Sequence, residues 1–266
     1  MPWSRSFVCC FFIVYFFFLL SCHKKNIVGP EGPQGSQGQA GDSSIALGNI
    51  QGQIVLYDIF GQPLPNDSGA IVSLENTSPL LQATSAIDGS FTIPSVHEGS
   101  YNISVQKPGY GSMLYFNFAN SGTEPPSETG ILSLGQQMPS QYDIKQLKFD
   151  TGGYYPTFTA ILAHPQQVSN PVILFFNDST GVGNSKNKYA SWWSFYQQDD
   201  TTLICDFTLN LADASAALSQ ANYLYVSAAV DNAKDPTYKD ENGNQVYPDI
   251  AMPSPELIIN NVLHKY

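Results

Sequence analysis

From residue 48 onward apolar and polar side chains alternate over short runs, and clusters of Gly, Pro, Asn and Asp interrupt those runs roughly every 8 to 12 residues. A period of two sends successive side chains to opposite faces of an extended strand, so each run offers one face to a core and one to water. Tyr101, Ile103 and Val105 form one such stripe, Phe91 and Ile93 a second, and Ala70, Val72 and Leu74 a third. Spacing this short leaves no room for a long amphipathic helix, and the pattern predicts antiparallel β-sandwiches. Asp88-Gly89, between Ala86-Ile87 and Ser90-Phe91, is the dipeptide a tight hairpin prefers, because glycine accepts a positive φ without a Cβ clash.

A second series of strands begins beyond Pro139: Ile144 to Phe149, Pro156 to Leu162, Val172 to Asn177, Tyr189 to Tyr196, Thr202 to Leu209, Tyr223 to Asp231, and Glu256 to Val262. Asp213 is placed to cap one helical turn through Leu218, the one helix-prone stretch after the leader. Cys205 falls between Leu203 and Phe207 on the apolar face of its strand, which predicts a packing role instead of a reactive thiol.

The start of the chain reads differently. Phe7 to Leu20 is an uncharged run too short for a permanent bilayer span, preceded by Arg5 and followed by Ser21 and Cys22, and it reads as an export leader. Leu19-Leu20-Ser21-Cys22 resembles a bacterial lipobox, which implies cleavage before Cys22 and a diacylglycerol on its thiol. Acyl chains there would hold the protein in a membrane far more firmly than a single chain does. Cys9 and Cys10 leave with the leader, so Cys205 has no intrachain disulfide partner. Gly29, Gly32, Gly35, Gly38 and Gly41 then fall at every third residue, the collagen-like spacing. Four triplets are few, and the expectation is an extended, soluble Gly-x-y spacer.

The fold class expected is therefore all-β: two tandem antiparallel β-sandwiches after a lipoprotein signal peptide and a short collagen-like tether. The boundaries are 1–21 for the signal peptide, 22–47 for the lipidated Cys22 and tether, 48–138 for the first sandwich and 139–266 for the second. In its order of residues the first resembles the carboxypeptidase regulatory-like (transthyretin-like, prealbumin-type) domain. The likeness runs through Gly52-Gln53-Ile54-Val55, Gly61-Gln62-Pro63-Leu64, Ala70 to Leu74, Thr84 to Phe91, Gly99-Ser100-Tyr101 and Lys107-Pro108-Gly109-Tyr110. That resemblance implies a seven-stranded sandwich without catalytic residues. The second series looks like a fibronectin type III or related immunoglobulin-like domain, on strand spacing and the texture of Tyr223 to Asn232.

Trp192 and Trp193 are neighbours on a strand, so they point to opposite faces. With Tyr189, Ser191, Trp193 and Phe195 inward, Trp192 and Tyr196 lie outward on one face about 13 Å apart, a spacing at which flat rings stack on successive sugars. The other reading of the pair is cover for an inter-domain seam. Asp231, Asp235, Asp240 and Asn242, with Glu241 and Asn244, gather oxygen donors in one loop and are the candidate calcium ligands. Their spacing is not that of an EF-hand, and Asn242-Gly243 also suffices as a hairpin turn. Asp178-Ser179-Thr180 and Asp200-Thr201-Thr202 resemble the short Asp-Ser/Thr-x acceptor of surface O-glycosylation in Bacteroidota.

Charge excludes one partner. The net charge is −11, and the one arginine precedes Cys22, so neither phosphate clamps nor a basic stripe for nucleic acid can form. His23, His97, His164 and His264 are scattered, and HExxH, GxSxG and CxxC are absent. The expectation is a non-enzymatic cell-envelope lipoprotein without a required cofactor, anchored to the bacterial outer membrane on either face, with sandwiches for structural display or for protein or glycan contact. A carbohydrate-binding surface lipoprotein of a polysaccharide-uptake system is the alternative, and a glycoside hydrolase-type enzyme with a carboxylate pair is the second.

Overall fold

The structure, a computed structural model, describes residues 46–153, 156–206, 218, 221–234 and 236–260. Cys22, the tether as far as residue 45, Asp235 and the expected helical turn except Leu218 lie outside them, and the first strand takes in Leu47, the last residue assigned to the tether. The residues from Ser44 to Tyr266 form one compact unit. It contains two sandwiches.

The first is built from β1 (Leu47–Tyr57), β2 (Ile71–Leu74), β3 (Leu81–Thr84), β4 (Ser90–His97), β5 (Gly99–Gln106), β6 (Met113–Asn120) and β7 (Ser127–Gly135). These seven strands make a three-stranded sheet, β4-β1-β7, and a four-stranded sheet, β3-β2-β5-β6. Ala70, Val72 and Leu74, beside Ile103 and Val105 of the same sheet, face Phe91 and Ile93 in a core completed by Ile50, Ile54, Leu56, Leu132 and Leu134. Asp88-Gly89 makes the tight turn its residues favour, with Gly89 at φ +82° and the Asp88 carboxylate accepting the Ser90 amide at 3.0 Å, but it joins no hairpin: β3 and β4 belong to different sheets. One pairing departs from the antiparallel expectation. After β6 the chain crosses to the other sheet and enters beside β1 running in the same direction, so β1 and β7 pair in parallel. A shift in register between Gln51 and Gln53 marks a bulge there.

A 3₁₀ turn, Ser140–Tyr142, opens the second sandwich. It is followed by β8 (Ile144–Asp150), β9 (Thr157–Leu162), β10 (Val172–Asn177), β11 (Tyr189–Trp193), β12 (Tyr196–Asp199), β13 (Thr202–Asp206) and β14 (Tyr223–Val230). A short hairpin of β15 (Tyr238–Lys239) and β16 (Gln245–Val246) precedes the last described strand, β17 (Leu257–Asn260). The sheets are β12-β13-β9-β8 and β11-β10-β14-β17. With β8, β9, β10, β12, β13, β14 and β17 lettered A to G, the sheets run A-B-E-D and C-F-G, with β11 added beside C. Eight strands thus replace the expected seven, because the stretch Tyr189 to Tyr196 is not one strand. The chain leaves one sheet after Trp193 and joins the other at Tyr196. Between the sheets lie Phe158, Leu162, Leu174, Phe176, Val226 and Val230, with Leu203 and Leu218. Cys205 is buried at 2% exposure on the inward face of β13, as its alternation implied.

Strand β10 has a second core behind it. Every residue from Val172 to Asn177 is buried. Val172, Leu174 and Phe176 face the sandwich interior, while Ile173 and Phe175 face outward and pack with Ala229, Tyr247 and Ile250. The last two belong to the connection between β14 and β17, residues 231–256, which folds back over the outer face of its own sheet.

The same connection joins the sandwiches. Asn232, fully buried, donates from Nδ2 to the carbonyls of Asp58 at 2.9 Å and Gln136 at 3.1 Å, and accepts the Lys234 amide at 2.9 Å. The Met138 amide donates to the Asp249 carbonyl at 2.9 Å, Gln137 Nε2 donates to the Ile250 carbonyl, and Asn170 Nδ2 to that of Ile59. Glycine permits the close approach: a Cβ on Gly135 would sit 1.8 Å from Asp249 Oδ2. Several directional hydrogen bonds, one of them from a fully buried amide side chain, hold the seam in one register.

Candidate functional site

Trp192 lies on the outer face of β11, opposite Ile173 of β10, while Trp193 turns inward against the sandwich core. Tyr189 and Phe195 also pack on that core, so the inward stripe is as the alternation predicted. Trp192 keeps 43% of its surface exposed, yet it is held at two points. Its Nε1 donates to Asp231 Oδ2 at 2.8 Å, and its ring meets Tyr247 edge to face, with centroids 5.7 Å apart and planes at 70°. Tyr247 in turn stands against Phe175 at 5.4 Å, and its amide donates to Asn184 Oδ1 at 2.7 Å.

Asp231 is fully buried at the end of β14. Its amide donates to the Pro171 carbonyl at 2.9 Å, and its Oδ1 accepts the Asn232 amide at 2.8 Å. The carboxylate therefore has a fixed direction, and so does the indole bonded to it.

Tyr196 is exposed at 54%, but it sits on β12, in the opposite sheet from Trp192. A single strand carrying both rings on one face does not exist. The platform that the spacing suggested reduces to Trp192, with Tyr247 packed T-shaped against it.

Of the candidate calcium ligands, Asp231 and Asp240 have other partners. Asp231 holds Trp192 and the Asn232 amide. Asp240 stands in an exposed turn, where Oδ1 accepts the amides of Asn242 at 2.9 Å and Asn244 at 2.8 Å, and Oδ2 accepts Asn244 Nδ2 at 3.0 Å. Chiefly because of the Asn244 side chain, its carboxyl is held below the ordinary 3.8. Asn242 lies in the same turn, next to Gly243 with φ +82°. Among the described residues no three His, Cys, Asp or Glu side chains gather as a metal site. Ser179 is exposed beside Asp178, whose carboxylate pairs with Lys188. The Thr201 hydroxyl is turned to Asp199 Oδ1 at 3.0 Å.

Tyr247, Asn184 and the seam residue Asn232 escaped the sequence reading. One signal for the first was present: Val172 to Phe176 is apolar without a break, the mark of a strand buried on both faces, so something had to cover its outer side.

No family model and no curated protein matches the sequence. Solved structures give distant matches. A DUF3823 family protein from Parabacteroides merdae is 14% identical over 80% of this chain and 98% of its own, with a TM-score of 0.29. A second DUF3823 family protein, from Bacteroides ovatus, is 11% identical over the same shares, also with a TM-score of 0.29. A provisionally named carbohydrate-binding protein from Bacteroides uniformis is 16% identical over 80% of this chain and 98% of its own, with a TM-score of 0.25. At scores this low the all-β description rests on the strands of this chain itself.

Proposed function

We propose that the protein is a non-enzymatic, lipid-anchored component of a bacterial cell envelope that binds glycan through the exposed face of Trp192. One observation carries the binding part: an indole that is 43% exposed and nonetheless immobilised by a buried carboxylate. Ordering a free side chain on binding costs about 0.5–1.5 kcal/mol, and Trp192 is already ordered in the unbound fold. Its π face is the negative pole of the ring quadrupole and suits the polarised C–H groups of a sugar. The anchor part is supported by Leu19-Leu20-Ser21-Cys22, and the reach from the membrane by the Gly-x-y spacer.

A glycan array probed with the full-length chain in detergent tests the binding. Signal on a restricted set of saccharides, lost in Trp192→Ala, is the expected result; no signal, or one unchanged by that substitution, contradicts it. Radiolabelled palmitate is expected to enter the wild type and not Cys22→Ala, and equal labelling of both would remove the anchor.

A further inference from the structure

A second concavity lies apart from Trp192, where the connection between β14 and β17 meets the first sandwich. Gln106, Lys107, Tyr110 and Ser112 of the first sandwich line it, with Gln137 from the linker and Pro248 from the connection, and its volume is about 520 Å³. This is within the range of small-ligand sites, and a seam between domains is where such sites commonly form.

The lining selects its ligand by elimination. No carboxylate lines the groove, so a cation finds no counter-charge there. Its one ammonium, on Lys107, already donates to the Ser68 carbonyl and stands 5.8 Å above the Tyr110 ring. A wholly apolar ligand would strand two amides and two hydroxyls without replacing their hydrogen bonds to water. The groups that remain, Gln106, Gln137, Ser112 and Tyr110, each both donate and accept. Gln137 has its Nε2 bound to the Ile250 carbonyl, which leaves its amide oxygen as the acceptor, and the Ser112 hydroxyl also meets the Tyr238 phenol. Gly109, with open space where a Cβ would stand, keeps this wall low.

We infer that this groove is a binding site for an uncharged, hydroxyl-rich ligand, a neutral saccharide, formed jointly by the first sandwich and the connection that docks on it. The inference shares its ligand class with the proposed function but uses different residues, so the two stand or fall separately.

The test is nuclear magnetic resonance on the ¹⁵N-labelled full-length chain in phosphocholine micelles. Cellohexaose, maltohexaose and mannohexaose are added in turn to about 5 mM, beyond the weak end of small-ligand affinity. The amide signals of Gly109 and Gly111 are expected to move with at least one of them, and Gln106→Ala with Ser112→Ala to weaken the apparent Kd about fivefold or more while the remaining spectrum is unchanged. Three outcomes overturn the site: silent Gly109 and Gly111 signals with every sugar, undiminished affinity in the double variant, or larger shifts with acetate or phosphate than with any sugar. The indole signal of Trp192 reports independently. If it alone moves, the groove is refuted and the Trp192 reading survives; if the glycine signals alone move, the reverse holds.

Discussion

Trp192 donates its indole N–H to the fully buried carboxylate of Asp231 at 2.8 Å, across two strands that are not neighbours in their sheet. The bond spans β10, and β10 has to be buried on its outer side for that carboxylate to be dry. The exposed ring and the hidden second core are thus one construction. The connection that packs Tyr247 against the ring supplies Ile250 to the core and Asn232 to the seam.

Phe175 tests whether the outer face of β10 is interior. On a sandwich with a wet outer face, Phe175→Ala would change stability by no more than about 0.5 kcal/mol. With Phe175 fully buried against Tyr247, the expected loss is about 3–5 kcal/mol by chemical denaturation.

Asn232 tests the seam. Asn232→Ala removes the donor from the Asp58 and Gln136 carbonyls and the acceptor from the Lys234 amide, with an expected cost of about 1–2 kcal/mol. Calorimetry is expected to show one melting transition for the wild type and two for the variant, as the sandwiches uncouple. A single transition of unchanged midpoint would show that the seam contributes nothing.

Asp240 gives a pH signature. Its carboxyl is held below 3.8 in the folded chain, first by the Asn244 side chain, so the turn's contribution is complete above 3.8 and is lost as pH falls below that value through the lowered one. A carboxyl-resolved titration is expected to place Asp240 below 3.8 and to move it back toward 3.8 in Asn244→Ala. A wild-type midpoint at or above 3.8 would contradict the turn.

Much of the fold was legible because it is written locally. The stripes at Ala70, Val72 and Leu74, at Ile103 and Val105, and at Leu203 and Cys205 all face cores, and Asp88-Gly89 turns where its chemistry requires. The sheet switch between Trp193 and Tyr196 was invisible for a physical reason. Phe195 continues the inward alternation of Tyr189 and Trp193, because both sheets share the same core, so the period of two passes through the switch unbroken. The parallel pairing of β1 with β7 joins residues more than 70 positions apart, and no local pattern encodes it. The acidic texture of residues 231 to 244 drew attention to metal, while the few apolar residues beyond it, Tyr247 and Ile250, carry the packing.

The most direct test of the binding reading is calorimetric titration of the full-length chain with the saccharide that an array selects, comparing wild type, Trp192→Ala and Asp231→Asn. Binding to the wild type is expected to weaken at least about tenfold in Trp192→Ala, equivalent to about 1.4 kcal/mol, and by a smaller factor in Asp231→Asn, which loosens the ring without removing it. Equal affinity in all three proteins would contradict the account.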